Sequence, residues 1–217
     1  MSPLRLTPSL LDSFRLYHEA DFMSLSDLEA RIKGEPVTQT PAMRLGSAFH
    51  KVAEGEFYYE DHGTGKHDGF YYADGLRFDM STTDEALALR GSGMAEVWCS
   101  RPLLTVPYQP LLRGRVDWIS GAVPWEIKTK DKAFTPEDYA DSLQWPCYLH
   151  MLDAEECHYL LVQLEERTDD AWWVKDADVL PLFRYVGMEN HLCVWASRFM
   201  HFCESRNLLS YLEKEIL

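Results

Sequence analysis

Apolar positions along the chain change period several times, and the changes mark the elements. Thr7-Pro8-Ser9 opens a first helix, a capping Thr followed by Pro at the first helical position, with Leu10, Leu11, Phe14 and Tyr17 as its apolar stripe. Ser24 to Ile32 reads as a second short helix with Ser26 as its cap. Gly34 to Pro41 reads as a loop, and Met43 to Phe57 as a helix with Leu45, Phe49, Val52 and Ala53 on one side. The period then falls to two. Phe70 to Met80 reads as a hairpin turning at Asp74-Gly75, and Thr83 to Arg90 as a short helix ended by Gly91.

Four strands follow by pattern: Ala95 to Ser100, Leu103 to Tyr108, Leu112 to Ser120 and Val123 to Lys130. Thr135-Pro136-Glu137-Asp138 resembles a capped start for a helix over Tyr139 to Met151, with a kink expected at Pro146. Cys157 to Glu165 is a near-continuous apolar run of strand length, the pattern of a buried parallel strand. Ala171 to Lys175 reads as an edge strand, and Leu180 to Leu217 as helix in two pieces broken near Asn207. A meander, a helix and a further strand make a right-handed crossover. The expected class is α/β: a mixed central sheet flanked by helices, in a single domain spanning residues 1–217 with its core at about 43–165.

The densest chemistry lies between Leu112 and Lys130. A two-residue loop at Gly121-Ala122, glycine first, suits a type II′ turn and pairs Ser120 with Val123. Counting back sets Asp117 opposite Glu126 and Arg115 opposite Lys128. Like charges directly across a strand pair repel, and a bound cation reverses that sign. Glu126 and Lys128 share one face and Ile127 takes the other. His50 and Glu54 are neighbours one turn apart on their helix; Glu54 reads as a surface residue.

Composition narrows the partners. The 217 residues are 46% apolar and 13% aromatic, enough for a real core. No apolar run reaches membrane-spanning length, and no leader-like segment opens the chain, which suggests a cytoplasmic protein. Five cysteines without a CxxC fit reduced thiols. His191, Cys193, His201 and Cys203 resemble a zinc set, but residues two apart on one helix cannot all converge. The net charge of −14 sits poorly with phosphate binding, yet residues 101–132 carry six basic and three acidic residues, net +3, against −17 elsewhere.

Gly114-Arg115-Val116-Asp117 followed by Glu126-Ile127-Lys128 resembles the PD-(D/E)XK nuclease signature. Gln144 and Tyr148, as QxxxY, resemble the extra motif of the RecB-type branch. Gly46-Ser47-Ala48-Phe49-His50 resembles that branch's upstream G-x-x-x-H motif. The stretch from Pro41 to Gly46, with Glu96, is similar to phage recombination exonucleases of the RecE kind. The resemblance covers about Thr7 to Glu165. Val116 stands where the family often has Pro, and the four-cysteine iron–sulfur set of some relatives is absent.

The resemblance implies a restriction-endonuclease-like αβββαβ core and a metal-dependent deoxyribonuclease leaving 5′-phosphates. The expected metal ligands are Asp117, Glu126, the Ile127 carbonyl and His50, holding Mg²⁺ with Mn²⁺ able to substitute. Lys128, Gln144 and Glu96 join Asp117 and Glu126 as catalytic candidates; Arg115, Lys130 and Tyr148 are the DNA-binding candidates. Expected partners are linear duplex DNA, a single-strand annealing protein and further copies of the chain. Two alternatives remain open at this point: an endonuclease of the same chemistry, and a non-catalytic DNA-binding or recombination-partner module on the same fold.

Overall fold

A computed structural model describes residues 4–19, 23–60, 68–104, 107–135, 137–168 and 170–213. Its elements in chain order begin with β1 (Arg5–Leu6), α1 (Pro8–Glu19), α2 (Leu25–Lys33) and α3 (Pro41–Glu54). The hairpin β2 (Phe70–Ala73) and β3 (Leu76–Asp79) leads into α4 (Met80–Ala88). The meander is β4 (Met94–Pro102), β5 (Leu111–Ser120) and β6 (Val123–Lys130). Then come α5 (Glu137–Ala140), α6 (Gln144–Leu152), β7 (Glu156–Thr168), β8 (Ala171–Phe183), α7 (Met188–Ser205) and α8 (Leu209–Leu212).

One mixed eight-stranded sheet runs in the order β1-β5-β6-β7-β8-β3-β2, with β4 on the other edge of β5. The succession α3, β4, β5, β6, α6, β7 is the expected αβββαβ core, and β2, β3 and α4 are inserted after its first helix. β7 is parallel to β6 and antiparallel to β8. Its apolar run is buried on both faces: Cys157, Tyr159 and Leu161 look to one side, and Leu160, Val162 and Leu164 to the other. α1, α6 and α7 pack through Leu11, Phe14, Cys147, Trp195 and Phe199 against Leu112 and Val116 of β5. On the opposite face α3 sets Leu45, Phe49 and Val52 against Trp125 and Ile127 of β6.

Several boundaries differ from the pattern. α2 is capped by Ser24, not Ser26: the Ser24 side chain accepts the Asp27 amide at 3.1 Å. α3 starts at Pro41, because Thr40 accepts the Met43 amide at 3.2 Å and Pro41 tolerates the first turn; Gly55, at φ 85°, stops it before Phe57. α4 starts at Met80, where Asp79 caps it. The described part of Leu103 to Tyr108 forms no strand, and residues 105 and 106 lie outside the described residues.

The expected long helix is two helices. α6 restarts at Gln144, so Pro146 falls in its first turn, where a missing amide costs nothing, and no kink is needed. Pro136 of the expected capped start lies outside the described residues. β8 is no edge strand: it runs to Phe183 between β7 and β3, so residues 180–183 are strand, not helix. The break near Asn207 is present, with that residue at φ 58°.

Candidate active site

The site forms where the sheet comes apart. The Gly121-Ala122 turn has Gly121 at φ 61°, and Ser120 pairs with Val123 as the loop length requires. The β5–β6 ladder, however, has only three pairs and ends at Trp118–Trp125. Beyond it β6 diverges from β5 while staying in register with β7 over Trp125 to Lys130. β1 pairs with the far end of the same β5 edge, at Leu111 and Leu112. Between Leu112 and Trp118, this edge of β5 therefore has no ladder partner.

Side chains fill that opening. The Ile127 amide donates to Asp117 Oδ2 at 2.8 Å, and the Tyr148 hydroxyl donates to the Arg115 carbonyl at 3.2 Å. Each bond gives a backbone polar group a side-chain partner where no β5–β6 ladder neighbour is present. The expected cross-strand pairs Asp117–Glu126 and Arg115–Lys128 are consequently not formed. Asp117 enters at the fork, while Glu126 and Lys128 turn toward α6.

Lys128 Nζ donates to Glu126 Oε1 at 3.0 Å and to Gln144 Oε1 at 2.6 Å. Burial alone would lower the lysine's pKa, but the charges of Glu126 and Asp117 outweigh it and the net shift is upward, so Lys128 is an ammonium ion. Asp117 is shifted upward as well, which for an acid favours the neutral form: burial first, then the charge of Glu126, holds its carboxyl well above the usual range. Glu126 Oε2 is buried with no hydrogen-bond partner.

His50 arrives from α3, one turn beyond Gly46, where a Cβ would come 3.0 Å from Thr129 Oγ1; glycine there lets the helix sit close to β6. The ring's Nε2 is 3.1 Å from the Ile127 carbonyl and Nδ1 is 3.6 Å from Asp117 Oδ2. Burial lowers the ring's pKa, which favours the neutral form. A carbonyl only accepts, so the neutral ring must carry its proton on Nε2. Its Nδ1 lone pair then faces Asp117 Oδ2, the oxygen that already accepts the Ile127 amide.

Among the described residues no three His, Cys, Asp or Glu side chains converge to hold a metal by themselves. The donor set nonetheless suits a hard divalent ion that keeps several waters: Asp117, Glu126 through its unpartnered Oε2, the Ile127 carbonyl, and the facing Nδ1 of His50.

The remaining candidates divide. Glu96 lies beside Asp117 by register, at φ 56°, and forms an ion pair with Arg115. Arg115 is thereby committed to Glu96 and is not an unpaired phosphate contact. Lys130 sits 5.0 Å from the Tyr139 ring centre and 5.6 Å from that of Phe134. Tyr148 is buried under β5, so its expected DNA contact gives way to holding the Arg115 carbonyl.

Three participants escaped the pattern. Glu54 is hydrogen-bonded to Glu96; burial, the Glu96 charge and that bond push its carboxyl up to about 7, so it belongs to the acidic cluster and not to plain surface. Arg90 is buried, donates to the Ala53 carbonyl at 2.7 Å and lies 3.9 Å over the Trp118 ring. Asp12 accepts the Leu143 amide at 2.8 Å, fixing the start of α6 just before Gln144. Only the i, i+4 spacing of His50 and Glu54 offered a signal; the other two are brought in by tertiary contacts.

No known protein family matches the sequence, and no curated protein matches it. Solved structures do share the fold. An alkaline exonuclease from Laribacter hongkongensis superposes with a TM-score of 0.51 at 11% identity, over 96% of this chain and 91% of that one. The same enzyme in complex with dAMP gives 0.52 at 12%, with the same coverage. The protein SSO0001 gives 0.52 at 13%, over 93% of this chain and 78% of that one. At such identities the likeness is one of fold.

Proposed function

We propose that this chain is a Mg²⁺-dependent DNA nuclease, and specifically an exonuclease working on the ends of linear DNA. The observation that carries the reading is the Lys128 ammonium, fixed between Glu126 and Gln144 beside the buried Asp117 at the opening of the sheet. The fold-level likeness to an alkaline exonuclease supports it.

Asp117, Glu126, the Ile127 carbonyl and His50 would hold the ion, which when bound supplies a water of lowered pKa and offsets phosphate charge. Lys128 donates hydrogen bonds toward the attacking water and the phosphate oxygens, where negative charge grows in the transition state. Gln144 and Tyr148 are positioning residues: the first aims Lys128 and the second keeps β5 in place. Water adds to phosphorus as the bond to the 3′ oxygen breaks, leaving a 5′-phosphate and a 3′-hydroxyl. A phage-type recombination setting, with an annealing protein as partner, fits an end-resecting activity.

End-labelled linear duplex and closed circular DNA, each with and without Mg²⁺, test the proposal. Metal-dependent loss of the linear substrate alone is expected. Cleavage of the circle makes it an endonuclease. DNA binding without cleavage of either substrate favours the non-catalytic module.

A further inference from the structure

The outer face of β4 and β5, away from α1 and α6, holds a feature that the site does not use. Trp98 is 58% exposed, although a large indole on a strand is usually covered. It pairs in register with Arg115, and Arg113, two residues further along β5, lies on the same face. The Arg113 guanidinium sits 4.7 Å from the Trp98 ring centre. Among the described residues it meets no acid, in a chain of net charge −14. Its neighbour Arg115 is neutralised by Glu96. β4 pairs only with β5, so nothing described lies beyond it.

We propose that Trp98 and Arg113 form a subsite for one unpaired nucleotide of a DNA strand, the base stacking on the indole and the phosphate taken by the guanidinium. The proposal rests on the nuclease reading, and placement argues for it. Trp98 is two residues from Glu96, which is beside Asp117 by register, so the subsite begins about 7 Å along the strand from the fork. A strand leaving the site along β4 reaches it directly. The arrangement needs an exposed base face. Inside a duplex both faces are covered by neighbouring bases, so the substrate favoured is a single strand or a frayed end. Arg113 serves twice: it braces the indole by a cation–π contact and presents its outer edge to a phosphate.

Anisotropy of the full chain with a labelled single strand, a blunt duplex, and single strands carrying one abasic site at successive positions tests this, all in EDTA so that cleavage plays no part. Trp98→Ala should weaken single-strand binding about tenfold, with Trp98→Phe keeping most of it. Arg113→Ala should weaken it and lower the salt slope by about one charge. Blunt-duplex binding should change little. In the unmodified protein one abasic position should reproduce the Trp98→Ala loss, and it should add nothing in that variant.

Binding by Trp98→Ala and Arg113→Ala that matches the unmodified chain overturns the subsite. So does a Trp98→Ala change in oligomeric state with DNA binding intact, which makes β4 a contact between copies. If the variant fails to fold, the abasic series decides, and no sensitive position overturns the proposal. A chain that binds single strands through Trp98 but cuts nothing with Mg²⁺ or Mn²⁺ sinks the nuclease reading and leaves the subsite standing. Normal cutting with abasic-insensitive binding does the reverse.

Discussion

The two edges of β6 behave differently, and the difference explains the site. Toward β7 the strand keeps an unbroken parallel register over Trp125 to Lys130, between apolar residues on both faces. Toward β5 the register lasts three pairs and then fails. Asp117, Glu126 and Lys128 meet at the failing edge. A strand gripped firmly on one side can leave its other side unpaired without losing its place, so Glu126 and Lys128 gain access to the opening while their backbone stays fixed.

That contrast is open to direct attack, and the largest effects should come from the unpaired edge. Lys128→Ala should cut turnover on linear DNA by on the order of 10²- to 10³-fold with the fold intact by circular dichroism. Normal turnover would remove Lys128 from the chemistry. Glu126→Ala should weaken Mn²⁺ binding in calorimetry, and an unchanged affinity would refute its role as a ligand.

Damage on the paired edge should read out first as stability. Leu160 is fully buried between β6 and β8, and Leu160→Ala should cost about 2–5 kcal/mol in denaturant unfolding. A much smaller loss would mean that the β7 side is not the anchor. Tyr148→Phe removes the bond to the Arg115 carbonyl and should cost about 0.5–1.5 kcal/mol, with kcat lowered and KM little changed. A raised KM at unchanged kcat would assign Tyr148 to substrate binding instead.

The smallest effect concerns protons. The folded chain keeps a proton on Glu54 up to about pH 7, whereas the ordinary value is 4.5. Between those limits the folded state binds more protons than the unfolded one, so this group's contribution to stability falls as pH rises and levels off above about 7. Without divalent metal, Tm should decline from pH 5 to pH 8 less steeply in Glu54→Gln than in the unmodified chain. Identical slopes would remove Glu54 from the cluster.

Local chemistry was legible in the sequence where neighbours in the chain decide it. The Gly121-Ala122 turn, the Asp74-Gly75 hairpin and the buried run of β7 follow from loop length and periodicity. Asp117, Glu126, Lys128 and Gln144 came from motif spacing, and the structure gathers them. The opening itself was not legible. Counting back from the turn assumes that the ladder continues, and its failure involves β1 and Tyr148, both remote from β6 in the chain. β8 was misread because exposed Lys175, Asp176 and Asp178 interrupt its apolar pattern. Glu54 was discounted because a polar residue near a helix end is ordinarily solvated, and its burial together with Glu96, folded against it, makes it otherwise.

β1 has a consequence out of proportion to its two residues. By gripping β5 at Leu111 and Leu112 it acts as a rivet at the end of a tear, setting how far the split can run. Trimming the chain through Leu6 would loosen that rivet far from the acidic cluster, and a bulky fusion placed against Arg5 would strain it. Either change would blur the spacing of the candidate site's groups while leaving every one of them in the sequence.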